Sequence, residues 1–350
     1  MYFEKPAEFC HLDPPQSIVD PRPPATDKAG TSAARRRIVA PAAASDAYRI
    51  PRRRLALRWP FLRNPITGLL LFLRLNKLDE SIFAAIAGHF ALLRILRHPK
   101  LRVLMSEHPQ LVYRPFRRYL AKSFGTKQRR QILAAHHLYL TDRLSESFFA
   151  LIARKKIRLW QLCMGEQTYS ITLSFSGHFH HEGDLLLEFQ LDSLTLYQLG
   201  FAIAPGHVLG SAHKQVILIA RLQGAAKQVA FIRHAAKVCK GNAPSHILIA
   251  ALQGIAGALC IERMAGVSNS EQLTANCAKV YFDYDKFWGS ILARETGRFF
   301  QMSVPLDERP LGEIAITHRR RTRLKRLFKV DVREAVRSTF VATCVDRSSR

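Results

Sequence analysis

Residues 215–240, QVILIARLQGAAKQVAFIRHAAKVCK, are the segment that constrains the fold of this chain most strongly. Its first part is a run of branched apolar residues, which is typical of a buried strand, and its last part has apolar residues at helical spacing. Between them lies a turn with the pattern R-x-x-G-x-A, formed by Arg221, Gly224 and Ala226. The stretch therefore predicts a strand at 215–220, a tight turn at 221–224 and a helix at 225–240.

Small residues in such a turn let a ligand come close to the backbone. The free N–H groups of the following helix then face that ligand with the positive end of the helix dipole. This arrangement suits a phosphate or pyrophosphate, so acyl-CoA is the candidate cofactor. The candidate cofactor-binding residues are Arg221, Gln223, Gly224, Ala225 and Ala226. The alternative is an ordinary strand-to-helix turn, because short glycine patterns are frequent by chance.

The sequence on either side of this unit predicts the fold class. Short strand-like runs between residues 157 and 224 are separated by Gly, Asp and Ser, which favours an antiparallel meander. A second helix is expected near residues 245–260, followed by strands at 261–270 and 297–306. Helical periodicity dominates before residue 155, with helices expected at 66–75, 81–96, 113–124 and 127–151. We predict an α+β or α/β protein: a helical N-terminal half, then a mixed, mostly antiparallel sheet with flanking helices.

Composition divides the chain into four regions. Residues 1–54 are rich in Pro, Ala and Arg without an apolar period, so we predict that they are disordered. Hydrophobic residues make up 48% of the chain, which is enough for a substantial core. The predicted regions are a disordered N-terminus at 1–54, a helical region at 55–155, a mixed α/β region at 156–316 and a basic C-terminal tail at 317–350.

The charge of the chain predicts polyanionic partners. A formal net charge of +26 draws a protein towards anionic membranes, lipid-linked phosphates or nucleic acid. If the basic tail is helical, Leu324, Leu327 and Phe328 would form the apolar stripe of a membrane-surface helix, and a solvated terminal helix is the alternative. Nucleic acid is the less favoured partner because no helix-turn-helix, RNA-binding or zinc pattern is present. The candidate membrane- or polyanion-binding residues are Arg319, Arg320, Arg321, Arg323, Lys325 and Arg326.

Several sequence features bear on location and on metals. The N-terminus lacks the apolar core of a signal peptide, and the apolar runs at 66–73 and 82–93 are too short to span a bilayer. The six cysteines form no C-x-x-C pair and fit a reducing compartment. We therefore predict a cytoplasmic protein that is either soluble or peripheral at the inner membrane. No metal site is expected, because the histidines of GHFHHEGD (177–184) fit an exposed hairpin tip better than a ligand set.

One cluster of aromatic and acidic residues, FDYDKFWGS (282–290), could line a pocket together with the asparagine that ends the preceding strand. The alternative is a well-packed helix start that an aspartate caps. The candidate pocket residues are Asn269, Asp283, Tyr284, Asp285 and Trp288. No Ser/His/Asp set or carboxylate pair can be placed by spacing, so the catalytic residues and the status as an enzyme stay open.

The order of several short motifs resembles the VirK/YbjX family of Gram-negative proteins, over about residues 57–330. The resemblance implies roles in virulence, envelope stress and resistance to cationic antimicrobial peptides, with no defined biochemical activity. This chain departs from the family at residues 236–237, which are Ala-Lys where Thr-Lys is usual, and after 267–269, where a histidine is missing. The motifs are HHLYL (136–140), HEGDLLLEF (181–189), IARLQG (219–224), IRHAAK (232–237), ERMAGVSN (262–269), YDKFW (284–288) and HRRRTRLKR (318–326).

The unit around RLQGAA is also similar to the acyl-CoA-binding turn of the GNAT acyltransferases. This second resemblance implies an N-acyltransferase that uses acyl-CoA or an acyl-carrier protein, although two helices rather than one follow the turn. Three hypotheses result: an envelope-stress factor of undefined activity, a GNAT-like acyltransferase, and a basic nucleic-acid-binding protein. Two neighbouring strands that separate beside Gly224 would favour the second, because the gap would admit an acyl-pantetheine arm.

Overall fold

The computed structural model describes residues 80–346, except 177–180, 226 and 275–281. In these ranges the helices are α1 (Glu80–Leu96), α2 (Arg102–Glu107), α3 (Thr126–Arg143), α4 (Glu146–Arg154), α5 (Val229–Val238), α6 (Pro244–Ala258), α7 (Tyr284–Ser290) and α8 (Ile316–Cys344). The strands are β1 (Ile157–Met164), β2 (Gln167–Phe175), β3 (Leu185–Leu191), β4 (Leu194–Pro205), β5 (Gln215–Gly224), β6 (Arg263–Val267), β7 (Arg294–Thr296) and β8 (Phe299–Ser303). The prediction of residues 1–54 as disordered and the helix expected at 66–75 lie outside the described residues.

The strands form one mixed sheet in the order β1-β2-β3-β4-β5-β6-β8-β7. All neighbours run antiparallel except β5 and β6, which run parallel. A parallel neighbour needs a crossover of a dozen or more residues, and α5 and α6 supply it. The predicted α+β class, with helices flanking a mostly antiparallel sheet, is therefore confirmed.

The sheet has one apolar and one polar face at its central strands. Residues paired across antiparallel strands point to the same side of the sheet, so the pairing shows which residues share a face. On one face, Phe189 of β3 pairs with Ile171 of β2 and Tyr197 of β4. The ring of Phe189 stacks on Trp160 of β1, which in turn contacts Phe328 of α8. This apolar face packs against helices and forms the core. The residues between these, on the opposite face, are largely polar, and they belong to the site described below.

The long C-terminal helix α8 is part of this core. It packs against α6 and β1, and Val332, Val336, Phe340 and Cys344 are its buried residues. Gly254 of α6 allows the close approach, since a Cβ there would collide with the backbone carbonyl of Arg333. Neither α8 nor any other helix of the described ranges is both long and apolar enough to cross a bilayer.

The N-terminal half corrects two predicted helices. Residues 113–124 were expected to be helical, but a 3-10 helix, Pro109–Phe116, is followed by irregular backbone in which Arg117 is extended and Leu120 is left-handed. Pro115, inside the segment, lacks the N–H that a regular α-helix needs, which explains the difference. The single helix expected at 127–151 is two helices, because Leu144 is extended and the hydroxyl of Ser145 caps α4 by accepting from the Phe148 N–H at 3.3 Å.

Candidate functional site at a fork between parallel strands

The parallel pair β5 and β6 stays paired over only three positions. Ile217, Leu218 and Ile219 pair with Met264, Ala265 and Gly266, and the pairing then ends. At that point β5 has a bulge: Ile219 and Arg221 both have partners on β4, and the residue between them has none. β6 ends at Val267, one residue beyond its last pair with β5, whereas β5 continues to Gly224, and we call the place where the two strands stop pairing the fork. Bulges are frequent beside active sites, and the carboxyl ends of parallel strands are a common place for ligands.

Two aromatic side chains of α7 lie in this fork. The hydroxyl oxygen of Tyr284 accepts a hydrogen bond from the Leu222 N–H at 3.0 Å, and the indole N–H of Trp288 donates to the Val267 carbonyl at 2.8 Å. Both side chains are buried. A Cβ on Gly266 would collide with the Trp288 ring, so glycine is needed where this ring covers β6. The two side chains thus satisfy backbone groups that a longer parallel ladder would have paired.

The start of α7 is fixed by side chains that the sequence singled out. Asn269 accepts from the Tyr284 N–H at 2.8 Å and donates to the Asp283 carboxylate at 2.9 Å. The Asn269 N–H donates to the Asp285 carboxylate at 2.8 Å, and Asp283 caps the helix by accepting from the Lys286 N–H at 3.1 Å. The five predicted pocket residues, Asn269, Asp283, Tyr284, Asp285 and Trp288, are therefore brought together at the fork.

The pKa values of Tyr284 and Asp283 are shifted in opposite directions at the fork. Burial raises the pKa of the Tyr284 hydroxyl to about 12, so this group stays protonated at neutral pH. The hydrogen bond from Asn269 and the one from the Lys286 backbone lower the pKa of the exposed Asp283 carboxyl. Tyr284 accepts a hydrogen bond and keeps its own proton, which makes it a proton donor within the fork.

A buried carboxylate, Glu182, adjoins the fork. It forms an ion pair with Arg221 and accepts from Gln272 at 2.7 Å and from Thr274 at 3.1 Å. Arg221 also donates to Gln198 at 3.4 Å. Because the ion pair is buried and supported by amide and hydroxyl donors, the charge of Arg221 is already compensated within the protein.

On the polar face of the sheet, a second buried carboxylate, Glu188 of β3, is linked to this ion pair through Gln198. Glu188 pairs with Lys156 and accepts from Gln198 at 3.1 Å, Thr195 at 3.3 Å and Gln190 at 3.3 Å. Since Gln198 bonds to both Glu188 and Arg221, the two carboxylate sites form one network. We call this network, from Lys156 through Glu188 and Gln198 to Arg221 and Glu182, the polar track.

The RLQGAA turn differs from its predicted geometry. Arg221 lies within β5 and faces Glu182, Gln223 donates weakly to Thr274 at 3.5 Å, and Gly224 is the last strand residue. Gly224 has no positive φ, and a Cβ there would crowd the rings and methyls of Tyr197 and Ile232 rather than a ligand. The helix begins at Val229, four residues later than expected, because the Ala225 N–H still pairs with the Leu196 carbonyl at 2.9 Å. Ala226 lies outside the described residues.

A second buried cluster was missed by sequence reasoning. The Asp184 carboxylate pairs with Arg114 and accepts from the Tyr119 hydroxyl, all three being buried. His136, which accepts from the Ile203 N–H at 3.0 Å, and His137 lie beside it. Burial first, then neighbouring positive charge, lowers the pKa of His136 far below its usual value and that of His137 to about 3. Both histidines are therefore neutral and structural. Arg114 and Tyr119 come from YRPFRRY (113–119), for which the sequence predicts that Tyr113, Phe116 and Leu120 pack inward. Leu120 is buried, whereas Tyr113 and Phe116 are exposed.

The predicted basic tail is the first half of α8, and its bases point in different directions. Arg319 donates to the carbonyls of Ile314 and Gly312, whereas Arg326 pairs with Glu308 at 2.8 Å. Arg320, Arg321 and Arg323 are exposed, and Lys325 is half-buried. Leu324, Leu327 and Phe328 share one side of the helix, as expected, but they differ in burial: Phe328 contacts Trp160 in the core, whereas Leu324 and Leu327 are exposed.

The histidine-rich stretch at 177–184 falls partly outside the described residues, including His178 and His180. His181 lies 2.9 Å from the Arg118 carbonyl, and Glu182 belongs to the ion pair with Arg221. Within the described ranges, no three His, Cys, Asp or Glu side chains come close enough to hold a metal ion.

The chain belongs to the family described as a protein of unknown function (DUF535), whose pattern matches residues 86–334. A curated relative is the uncharacterized protein YbjX of Escherichia coli (strain K12). It is 26% identical over 230 residues, which cover 62% of this chain and 68% of the relative. The resemblance to the VirK/YbjX family is thereby confirmed. No solved structure matches the chain, so the similarity to GNAT acyltransferases has no support from that comparison.

Proposed function

We propose that this family member is an acyltransferase that takes its acyl group from an acyl-CoA or an acyl-carrier-protein thioester. The observation that carries the proposal is the fork, where β5 and β6 stop pairing after Ile219 and Gly266, beside the bulge in β5. In the GNAT-like hypothesis from the sequence, two neighbouring strands stop pairing and admit the acyl-pantetheine arm between them. The fork therefore replaces the RLQGAA turn as the proposed donor site.

The backbone in the fork suits the pantetheine arm of such a donor. That arm is an extended chain with two amide groups, and strand edges bind extended chains through their backbone hydrogen-bonding groups. The groups at this edge are engaged by side chains, Leu222 with Tyr284 and Val267 with Trp288. In the proposed complex an amide of the arm replaces Tyr284 as the partner of Leu222. The Tyr284 hydroxyl is then released towards the thioester sulfur.

The chemistry assigned to the fork is acyl transfer from sulfur to an acceptor nucleophile. The nucleophile forms a bond to the thioester carbonyl carbon, the C–S bond breaks, and the thiolate takes a proton. Tyr284 donates that proton, because its raised pKa of about 12 keeps the hydroxyl protonated. The proton lost by the nucleophile returns to Tyr284, so one proton in total passes from acceptor to sulfur.

The polar track favours a polar acceptor. Its carboxylates, Glu182 and Glu188, are buried with amide and hydroxyl partners rather than apolar ones. Such a row of hydrogen-bonding side chains leading towards the fork would orient an amine or hydroxyl group and would exclude a plain hydrocarbon.

The Tyr284→Phe variant tests the proposed proton donor. We expect the full chain to bind acetyl-CoA or palmitoyl-CoA in calorimetry and, with an added primary amine as the acyl acceptor, to release free CoA thiol, measured with a thiol reagent. Loss of the hydroxyl should slow thiol release by about 10²- to 10⁴-fold, the usual effect of a general acid, while thioester affinity changes only a few-fold. Tyr113→Phe, the same change at an exposed tyrosine, is the control and should leave both quantities unchanged.

Two outcomes would count against the acyltransferase proposal. One is a correctly folded full chain that binds neither thioester nor an acyl-carrier protein. The other is thiol release that is equal in Tyr284→Phe and the unmodified protein.

We also propose that the protein works at an anionic membrane surface, which would place it where the envelope-stress and peptide-resistance roles implied by the VirK/YbjX resemblance are exerted. The supporting observation is the outward side of α8. Its apolar residues Ile316, Leu324, Leu327 and Val330 are between 39% and 79% exposed. Their spacing puts them on one side of the helix, together with Arg320 and Arg323. Exposed apolar and basic residues on one helix face are typical of a surface-bound amphipathic helix.

Vesicle binding tests this second proposal. Replacing both Arg320 and Arg323 with Gln should weaken binding to phosphatidylglycerol-containing vesicles by about 1 kcal/mol for each arginine, and binding should fall as salt rises. Leu324→Ser with Leu327→Ser should weaken it further, because apolar contact is lost. Arg294→Gln, an exposed arginine on β7, is the matched control. Salt-independent binding would contradict the proposal, and equal affinity for duplex DNA would favour the nucleic-acid alternative.

A further inference from the structure

A cleft of about 510 Å³ lies away from the fork, between the start of α6, the end of α7, the segment at 306–309 and the inner side of α8. Its volume is in the range of pockets that hold small ligands. One wall is basic and comes from α8, with Lys325, Arg326 and Lys329. The opposite wall is partly apolar and includes Ile249 and Leu292. Nothing in the fork or the polar track uses this cleft.

The charges that line the cleft do not balance. Four basic side chains, Arg309, Lys325, Arg326 and Lys329, face two carboxylates, Asp307 and Glu308. Glu308 pairs with both Arg326, at 2.8 Å, and Lys329, at 2.7 Å, so one negative charge serves two positive ones. The cleft therefore carries an excess of about two positive charges at neutral pH.

Unlike Arg326 and Lys329, Lys325 is not paired with Glu308. In the described part of the chain no carboxylate forms an ion pair with Lys325. Its ammonium group and the Arg321 guanidinium are neighbours, since both lie within 4 Å of the position that a Cβ on Gly241 would occupy. Burial, followed by the charges of Arg321 and Lys329, lowers the pKa of Lys325. The Asn242 side chain donates to the Lys325 main-chain carbonyl at 3.3 Å, which ties the backbone of α8 to the start of the cleft. A bound anion would relieve this repulsion.

We infer that this cleft binds the phosphate group of a phosphate monoester, with Lys325 as its central ligand and Lys329 and Arg326 beside it. A phosphate monoester carries close to two negative charges at neutral pH, which matches the excess positive charge of the lining. A carboxylate or a phosphodiester carries one negative charge and would neutralise only about half of the excess positive charge. The apolar wall would contact the carbon part of the ester. The inference is independent of acyl transfer at the fork.

Titration of glycerol 3-phosphate into the full chain, followed by calorimetry, tests the site. Lys325→Gln should weaken binding by about tenfold to a hundredfold, the usual effect of losing a hydrogen bond to a charged group. Arg102→Gln removes the same charge at an exposed arginine of α2, outside the cleft and outside the outward side of α8, and should change affinity by less than about twofold because solvent screens it. Glu308→Gln should tighten binding, since it frees Arg326 and Lys329 for the phosphate.

The opposite signs expected for Lys325→Gln and Glu308→Gln separate binding from misfolding, which would weaken binding in both variants. A parallel titration with phosphatidylcholine vesicles containing phosphatidic acid identifies the source of the phosphate. Vesicle binding that falls about tenfold or more in Lys325→Gln would indicate a lipid headgroup, whereas a fall confined to glycerol 3-phosphate would indicate a soluble ester. Absence of binding to both probes, or equal losses in Lys325→Gln and Arg102→Gln, would overturn the inference.

Discussion

Arg114→Ala is expected to lower the free energy of unfolding by about 3–5 kcal/mol, the usual cost of removing one partner of a buried ion pair. Arg114 and Asp184 are 2% and 0% exposed, so the carboxylate left behind cannot be solvated. The Tyr119 hydroxyl would be its main remaining donor. Urea unfolding at pH 7, followed by circular dichroism, measures the change.

Two further variants make this test specific. Arg154→Ala breaks an exposed pair with Glu107, whose side chains are 62% and 41% exposed, and should cost less than about 1 kcal/mol. Arg114→Met combined with Asp184→Leu should recover part of the loss, because both charges are then removed from the core. A cost at Arg114 no larger than that at Arg154 would contradict the assignment of Arg114 as a buried structural charge.

Acidification should destabilise the protein well before its carboxylates titrate. His136 and His137 are buried as neutral rings, with the pKa of His136 far below its usual value and that of His137 at about 3. In the unfolded chain both take up a proton near pH 6.5, so their neutral burial is fully favourable above that pH and becomes costly as the pH falls. Between pH 7.5 and 5, each histidine should reduce the free energy of unfolding by about 2 kcal/mol.

The check is the urea midpoint measured from pH 7.5 to pH 5 in the unmodified protein and in His137→Leu. His137 has no hydrogen-bond partner for either ring nitrogen among the described residues, so leucine removes the titration without breaking a bond. The variant should lose about 2 kcal/mol less on acidification than the unmodified protein. An identical pH dependence in the two proteins would show that His137 is not buried in its neutral form.

Hydrophobic pattern was enough to predict much of the fold. The meander and the strand–helix–helix–strand unit around residues 215–267 follow from apolar runs separated by turn residues, and the structure has them in that order. The helix at 113–124 could not be excluded by periodicity alone. Proline chemistry, at Pro115, was the better signal there.

The candidate site could be predicted only in part. The cluster of Asn269 with residues 283–288 was visible because acids and aromatics are concentrated there, and the structure does bring these residues together. The misinterpretation of Arg221 had a different origin. Its partner Glu182 is 39 residues earlier in the chain, in a stretch taken for a hairpin tip, and local sequence carries no information about such a pairing.

The fork could not be predicted from local sequence either. Where β5 and β6 stop pairing depends on the Ala220 bulge and on Tyr284 and Trp288, which follow in a later helix. Gly224 was chosen for a backbone freedom that it does not use, since its φ is not positive and its small size serves packing against Tyr197. A glycine in sequence indicates close packing as readily as a special backbone conformation.

The indole N–H signal of Trp288 gives the most direct test of the central claim, that an acyl thioester binds in the fork. The chain has three tryptophans, and ¹⁵N-labelled protein together with Trp288→Phe and Trp160→Phe variants assigns two of the three indole signals. The Trp288 indole donates to Val267 at the fork, whereas Trp160 packs on Phe328 away from it. On titration with acetyl-CoA, we predict that the Trp288 signal moves progressively to saturation while the Trp160 signal stays in place. An unmoved Trp288 signal at saturating acetyl-CoA and acyl-carrier protein would contradict the claim.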